Sequence, residues 1–125
     1  MAETTSGTLT WLGGARFEAR SGSGHTMTTE PVSRPGHAGA SPIELFLLGV
    51  GGCTAIDVAT ILEKMHEPVT GLRVEVVGTR AETHPKYFTH IEIVYHVEGD
   101  GVDLAKVERA VHLSHSSYCS AAATL

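Results

Sequence analysis

The stretch from Ser41 to His66 constrains this chain more than any other. It opens Ser41-Pro42-Ile43-Glu44. Ser41 suits a helix N-cap, Pro42 the first helical position, and Glu44 the third position of a capping box. An apolar run follows, Leu45-Phe46-Leu47-Leu48-Gly49-Val50-Gly51-Gly52-Cys53. The pattern predicts one long helix to about Lys64 or His66, with Pro68 beyond it. Its first half is apolar on nearly every side, and a helix without a polar face is buried all round rather than laid on a surface. Gly49, Gly51 and Gly52 each cost roughly 1 kcal/mol against Ala inside a helix. Their presence predicts close approach of another backbone, or a local break just before Cys53.

The flanking segments are short and β-patterned. Thr8 to Leu12, Arg16 to Arg20 and His25 to Thr29 read as three strands separated by Gly-rich turns, the signature of a meander. Glu30 to Ala40 carries two Pro and two Gly and reads as a loop. After the helix, Leu72 to Gly78 alternates as a half-buried strand should. Phe88 to Val97 alternates again, with Ile91, Ile93, Tyr95 and Val97 on one face. Asp103 suits the cap of a helix through Leu113, with Leu104, Val107, Ala110 or Val111 inward. A last helical segment begins near Ser116 or Ser117 and contains Cys119. Strands, a buried helix, strands and helices in that order make an α+β fold. One small sheet per subunit covers only one side of the helix. A dimer that packs two such helices between two sheets would complete the cover.

At 125 residues the chain fits one domain. A chain of this size buries roughly two-thirds of its unfolded surface. The net charge of −5 and the absence of any Lys/Arg run argue against a nucleic-acid or anionic-membrane surface. The strongly apolar run from Leu45 to Cys53 is shorter than the about 20 residues a membrane span needs, and Asp57 interrupts its continuation. Met1 to Ser6 has neither a basic n-region nor an apolar h-region, so the expectation is a cytoplasmic protein with residues 1–7 as a flexible lead. In a reducing compartment Cys53 and Cys119 are reactive or inert thiols rather than a permanent structural disulfide.

Those two cysteines offer the chain's main chemistry. A nucleophilic thiol must ionise, helped by a helix N-terminus or a nearby cation. Gly51-Gly52 before Cys53 would let a substrate or a partner backbone approach. Cys53 reads equally as a small core residue, since cysteine is among the most buried types. Cys119 follows a plausible Ser cap, where the helix dipole favours a thiolate, and it too reads as a small packed residue. There is no C-x-x-C motif. Glu44 either completes the capping box or holds an arginine beside the thiol. Arg16, Arg20 and Arg34 are the candidates for that arginine, each also readable as a solvated surface charge. Arg34 lies in the loop just before the helix, from which a side chain can reach Cys53. His112 with His115, and His90 with His96, have spacings that admit a metal. No carboxylate or cysteine completes either set at a familiar spacing, and they read as exposed histidines.

Ser41 through Asp57 resembles the central helix of the OsmC/Ohr family, the osmotically inducible and organic-hydroperoxide-resistance proteins. Leu113-Ser114-His115-Ser116-Ser117-Tyr118-Cys119-Ser120 is similar to the family's second-cysteine segment, and Pro85 to Ile91 to its P-x-x-F-T-x-I strand entry. The nearest branch is the YhfA-like one, with its G-G-C-[ST]-A-x-D core. The likeness covers nearly all of Thr8 to Leu125. It implies an intertwined α+β homodimer, with antiparallel sheets wrapped around long central buried helices and each active site at the subunit interface. It also implies a peroxidase that needs no metal or organic cofactor. Cys53 would attack the O–O bond of an organic hydroperoxide or hydrogen peroxide and become a sulfenic acid. Cys119 would resolve it to a disulfide, and an external dithiol would reduce that by exchange. Glu44 lies close to the family's glutamate, and Arg34 is the candidate for its activating arginine. The family's final strand is absent before Leu125, so the expectation is a single OsmC-like domain over 1–125 without it. A redox sensor or small-ligand-binding dimer of the same fold is the alternative, and a purely structural dimer with inert thiols a further one.

Overall fold

A computed structural model describes residues 3–118 and gives three strands, a long helix, two strands, a helix and a π-helical turn. The chain falls into two compact units, Met1–Phe46 and Leu47–Leu125.

In the first unit β1 (Gly7–Gly13), β2 (Arg16–Ser21) and β3 (Thr26–Thr29) form an antiparallel meander in the order β1-β2-β3. Gly13 and Gly14 turn the first hairpin with φ of 111° and 56°, a region where a Cβ is penalised. Trp11 Nε1 closes that turn on the Gly14 carbonyl at 2.8 Å. Thr29 bridges to Ala40 in parallel and donates its hydroxyl to the Ala40 carbonyl, drawing the loop back along β3. The loop then enters α1 (Pro42–Lys64), a helix of 23 residues. The capping box forms as its residue types demand. Glu44 N–H donates to Ser41 Oγ at 3.2 Å, and Ser41 N–H donates to Glu44 Oε1 at 2.9 Å.

The second unit contains most of α1, the hairpin of β4 (Gly71–Arg80) and β5 (Phe88–Glu98), α2 (Leu104–Leu113) and a π-helical turn (Ser114–Tyr118). Asp103 caps α2 by accepting from Ala105 N–H. The core is Val58 and Leu62 of α1 against Val107 and Ala110 of α2, flanked by Leu72, Tyr95 and Val97 of the hairpin. On β5 the face of Ile91, Ile93, Tyr95 and Val97 is half-buried, as its alternation predicts.

Several expectations change. Only one stripe of α1 is buried in the protomer, at Val50, Gly51, Thr54, Val58 and Leu62, with the three-to-four spacing of a single helix face. Leu48 and Ile56 are 63% and 69% exposed, so the all-round burial expected from the sequence is not reached within one chain. The helix as a whole, unlike its Leu45–Cys53 run, is long and apolar enough by length and composition to cross a membrane. It does not break before Cys53, and the close approach at its glycines comes from a side chain. A Cβ on Gly51 would collide with Val76 Cγ2, whereas Gly49 and Gly52 have nothing within 4 Å. Leu104, expected inward, is 70% exposed, because it is the first residue of α2 and lies past the edge of the core. The last helical turn starts at Ser114 rather than at Ser116 or Ser117, continuing from α2 in π geometry.

Candidate active site around Cys53

Cys53 lies midway along α1, half-buried and unpaired with another sulfur among the described residues. The residue types around it follow from the helix face. Gly51 and Thr54 are buried on the packed stripe, and Gly52 is bare. An apolar cleft of about 290 Å³ opens beside this turn, lined by Gly51, Gly52 and Ala55 of α1 and by Val74 and Val76 of β4. A small non-bonded approach such as Gly51 against Val76 is possible only where no Cβ intervenes.

Polar groups gather on the same stretch of helix. Thr54 Oγ1, 1% exposed as a residue, lies 2.5 Å from Tyr95 Oη of β5 and 3.2 Å from Ser114 Oγ. Ser114, wholly buried, also lies 3.1 Å from Asp57 Oδ2. Tyr95 Oη continues to His115 Nε2 at 3.0 Å. Buried hydroxyls need partners, and each of these has them. Asp57 stands one helical turn after Cys53, on the same face. None of Thr54, Asp57, Tyr95 or Ser114 was singled out for chemistry from sequence. The available signal was a Thr and an Asp three residues apart inside an otherwise apolar helix.

The other predicted site residues stand as follows. Cys119 lies outside the described residues. Glu44, in the first unit, is engaged with Ser41, and those hydrogen bonds hold its carboxyl below the usual range. Arg34 is exposed in the loop of the first unit, and among the described residues it makes no ion pair. Arg16 is the arginine of that unit held by a carboxylate. Its guanidinium meets the buried Glu30 at 3.2 Å, and Ala38 N–H donates to the same carboxylate at 2.8 Å. The Ala38 bond leads in holding Glu30 below the usual carboxylate range, with Arg16 adding to it and burial opposing. Arg20 is exposed on β2. His96 bonds Glu75, which Arg73 first and His96 second hold below the usual range. Among the described residues no group of three or more His, Cys, Asp or Glu side chains is placed to hold a metal ion.

Comparison with known proteins agrees with this architecture. Residues 35–125 match the family model described as OsmC-like protein. Protein YhfA of Escherichia coli strain K12 is 40% identical over 115 residues, covering 92% of this chain and 84% of that protein. The crystal structure of a hypothetical protein from Aquifex aeolicus superposes with a TM-score of 0.87 at 32% identity, over 98% of this chain and 87% of that one. The crystal structure of an organic hydroperoxide resistance protein from Elizabethkingia anophelis superposes with a TM-score of 0.68 at 19% identity, over 99% and 89% of the two chains. That last likeness is one of fold.

Proposed function

Because the chain belongs to the OsmC-like protein family, we propose that it is a cysteine-based thiol peroxidase acting as a homodimer on organic hydroperoxides or hydrogen peroxide. The observation that carries the reading is the setting of Cys53, a half-buried free thiol on the turn beside an apolar cleft. The name of the Elizabethkingia anophelis relative, organic hydroperoxide resistance protein, points the same way.

In this reading the Cys53 thiolate attacks the terminal oxygen of the hydroperoxide. A sulfur–oxygen bond forms, the O–O bond breaks, and an alcohol or water departs. Cys119 condenses with the resulting sulfenic acid to a disulfide, releasing water. A dithiol reductant restores both thiols by exchange, in keeping with a cytoplasmic setting. Arg34 and Glu44 take the parts of the arginine and glutamate that the resemblance implies. An apolar cleft favours a bulky organic hydroperoxide over hydrogen peroxide. Homodimerisation would cover the bare face of α1, where Leu48 and Ile56 stand out from the packed stripe. A protein cover suits this helix better than lipid, because its Asp57 and Thr54 are engaged with groups of β5 and the π-helical turn.

A redox sensor without turnover is the second reading. It is favoured by Arg34 having no carboxylate partner among the described residues while Glu44 serves as a cap. One experiment separates the two. Consumption of cumene hydroperoxide and hydrogen peroxide is followed with a dithiol or a monothiol reductant, with Cys53→Ser as control. Sustained, dithiol-supported consumption that Cys53→Ser loses is the peroxidase result. A single stoichiometric oxidation is the sensor result. Undiminished consumption by Cys53→Ser would refute both.

A further inference from the structure

Buried hydroxyls join the two stretches of chain that lead to the cysteines. Thr54 follows Cys53 directly on α1, and Asp57 stands one turn beyond Cys53. Ser114 opens the π-helical turn Ser114–Tyr118, and Cys119 is the next residue in the sequence. The single hydroxyl hydrogen of Ser114 is shared between Asp57 Oδ2 at 3.1 Å and Thr54 Oγ1 at 3.2 Å. A second tie runs through β5. Tyr95 Oη bonds Thr54 Oγ1 on one side and, on the other, Nε2 of His115, the second residue of the turn. The turn is also braced from within, because the Ser116 hydroxyl donates to the His112 carbonyl at 2.8 Å.

Packing alone does not call for these groups. Val58 and Leu62 already fasten α1 to Val107 and Ala110 of α2, and Ser114 is the C-cap of α2, one turn past Ala110. Thr54 and Ser114 are 1% and 0% exposed, so each depends on the other elements of the fold for its partners. Apolar side chains would fill the same space. Hydroxyls add direction, because a hydrogen bond weakens steeply as its angle closes. Buried polar contacts that are fully satisfied specify one arrangement of the elements they join. Here two adjacent residues of the turn are tied to the same threonine, one directly and one through Tyr95. Two such ties hold the turn against both sliding and rotation. Its π geometry is itself a form concentrated at functional sites.

We propose that Thr54, Asp57 and Ser114 are positioning residues for disulfide formation, holding the π-helical turn so that Cys119 meets an oxidised Cys53. The proposal rests on the reading of Cys119 as the resolving cysteine. In that step the Cys119 thiolate attacks the sulfenic sulfur of Cys53. The S–S bond forms, the S–O bond breaks, and hydroxide leaves with the proton that Cys119 gave up, as water. The Cys119 sulfur is oxidised and the Cys53 sulfur reduced. A disulfide needs its Cβ atoms about 3.5–4.5 Å apart and a narrow range of torsion. A misplacement of about 1 Å can cost about 10²-fold in a step of this kind. The earlier attack of Cys53 on the hydroperoxide makes no such demand on the turn.

Two measurements on the full chain test this. In the first, one equivalent of cumene hydroperoxide is added, and the Cys53 sulfenic acid and the Cys53–Cys119 disulfide are timed by dimedone trapping and mass spectrometry. Ser114→Ala and Thr54→Val should slow disulfide formation by about 10- to 10²-fold and leave sulfenic acid formation unchanged. Thr54→Ser, which keeps the acceptor, should retain the rate. In the second, the thiols are equilibrated with reduced and oxidised glutathione without peroxide, which reads the effective concentration of one thiol at the other. It should fall by a similar factor in Ser114→Ala and Thr54→Val. Val107→Ala, which loosens the core without touching a hydroxyl, should leave it at the native value. Native disulfide rates and effective concentrations in both hydroxyl variants would overturn the proposal. An equal fall in Val107→Ala would assign the contacts to packing and overturn it too. If the native chain forms the disulfide with glutathione but does not react with hydroperoxide, the peroxidase reading fails on its own account, and the glutathione measurement still decides the positioning. A native chain that forms no Cys53–Cys119 disulfide with glutathione overturns the positioning role.

Discussion

Glu30 in the first unit is buried and Asp57 in the second is half-buried, and they are satisfied by different kinds of partner. Glu30 accepts from the Ala38 backbone N–H and from the Arg16 guanidinium. Neither donor gives up its proton at ordinary pH, so the arrangement fixes a charge and ties the loop after β3. Asp57 accepts from the Ser114 hydroxyl, and behind that stand two more hydroxyls and an imidazole. Ser114 has a single hydroxyl hydrogen to share between Asp57 and Thr54, so these contacts hold α1 to the π-helical turn without fixing a charge. The same contrast runs through the apolar residues. The meander leaves Leu9, Trp11, Leu12 and Met27 exposed, while the second unit closes a core over Val58, Leu62, Val107 and Ala110. One unit is organised by turns and a held charge, the other by an apolar core and hydroxyl contacts that join α1 to β5 and the π-helical turn.

If chemistry belongs to the second unit, the largest effect comes from Cys53. Cys53→Ser should abolish hydroperoxide consumption while the thermal midpoint stays in place, because the substitution is nearly isosteric. Turnover surviving in that variant would break the contrast at its root. Next in size is the packing beside the site. Gly51→Ala places a methyl into Val76, and overpacking of this sort costs about 1–3 kcal/mol. Urea unfolding should read that loss, and Val76→Ala in the same chain should return part of it. An unchanged midpoint for Gly51→Ala would mean that the spacing of α1 and β4 is not set by that glycine.

The parts of this fold that can be read in the sequence are the parts whose causes are local. Ser41, Pro42 and Glu44 mark the start of α1 because a capping box is complete within four positions. Asp103 marks α2 because an N-cap carboxylate needs only the backbone N–H two residues on, and period-two alternation marks β4 and β5. Leu104 misleads because periodicity says which stripe a residue is on and not where along the helix the core ends. The Cys53 neighbourhood is less legible. Thr54 meets Tyr95 across 41 positions and Ser114 across 60, and no local pattern announces such pairs. Gly51 signals a close approach, yet only the fold identifies Val76 as what approaches. The role of Cys119 rests on resemblance, since it lies outside the described residues.

Smaller effects test the first unit. Ser41→Ala removes the acceptor for Glu44 N–H and should lower stability by about 1 kcal/mol, the usual worth of an N-cap, with no loss of the Cys53 alkylation rate. The smallest effect is expected at Glu30, because its cation is half in water and such pairs contribute little. The sign is nonetheless specific. Glu30 is held below the usual carboxylate range in the folded chain, so its contribution is fully present above the unfolded value of about 4.3. It is lost as pH falls through the lowered folded value. The stability gap between the native chain and Glu30→Gln should therefore be constant near neutrality and shrink below about pH 4.3. Because Ala38 N–H leads and Arg16 only adds to it, Arg16→Ala should keep most of that acid dependence, and Glu30→Gln should remove it. Urea midpoints taken from pH 7 down to pH 3 decide the matter. Parallel curves for the native chain and Glu30→Gln would show that Glu30 titrates alike folded and unfolded. The fixed charge that distinguishes the first unit would then not exist.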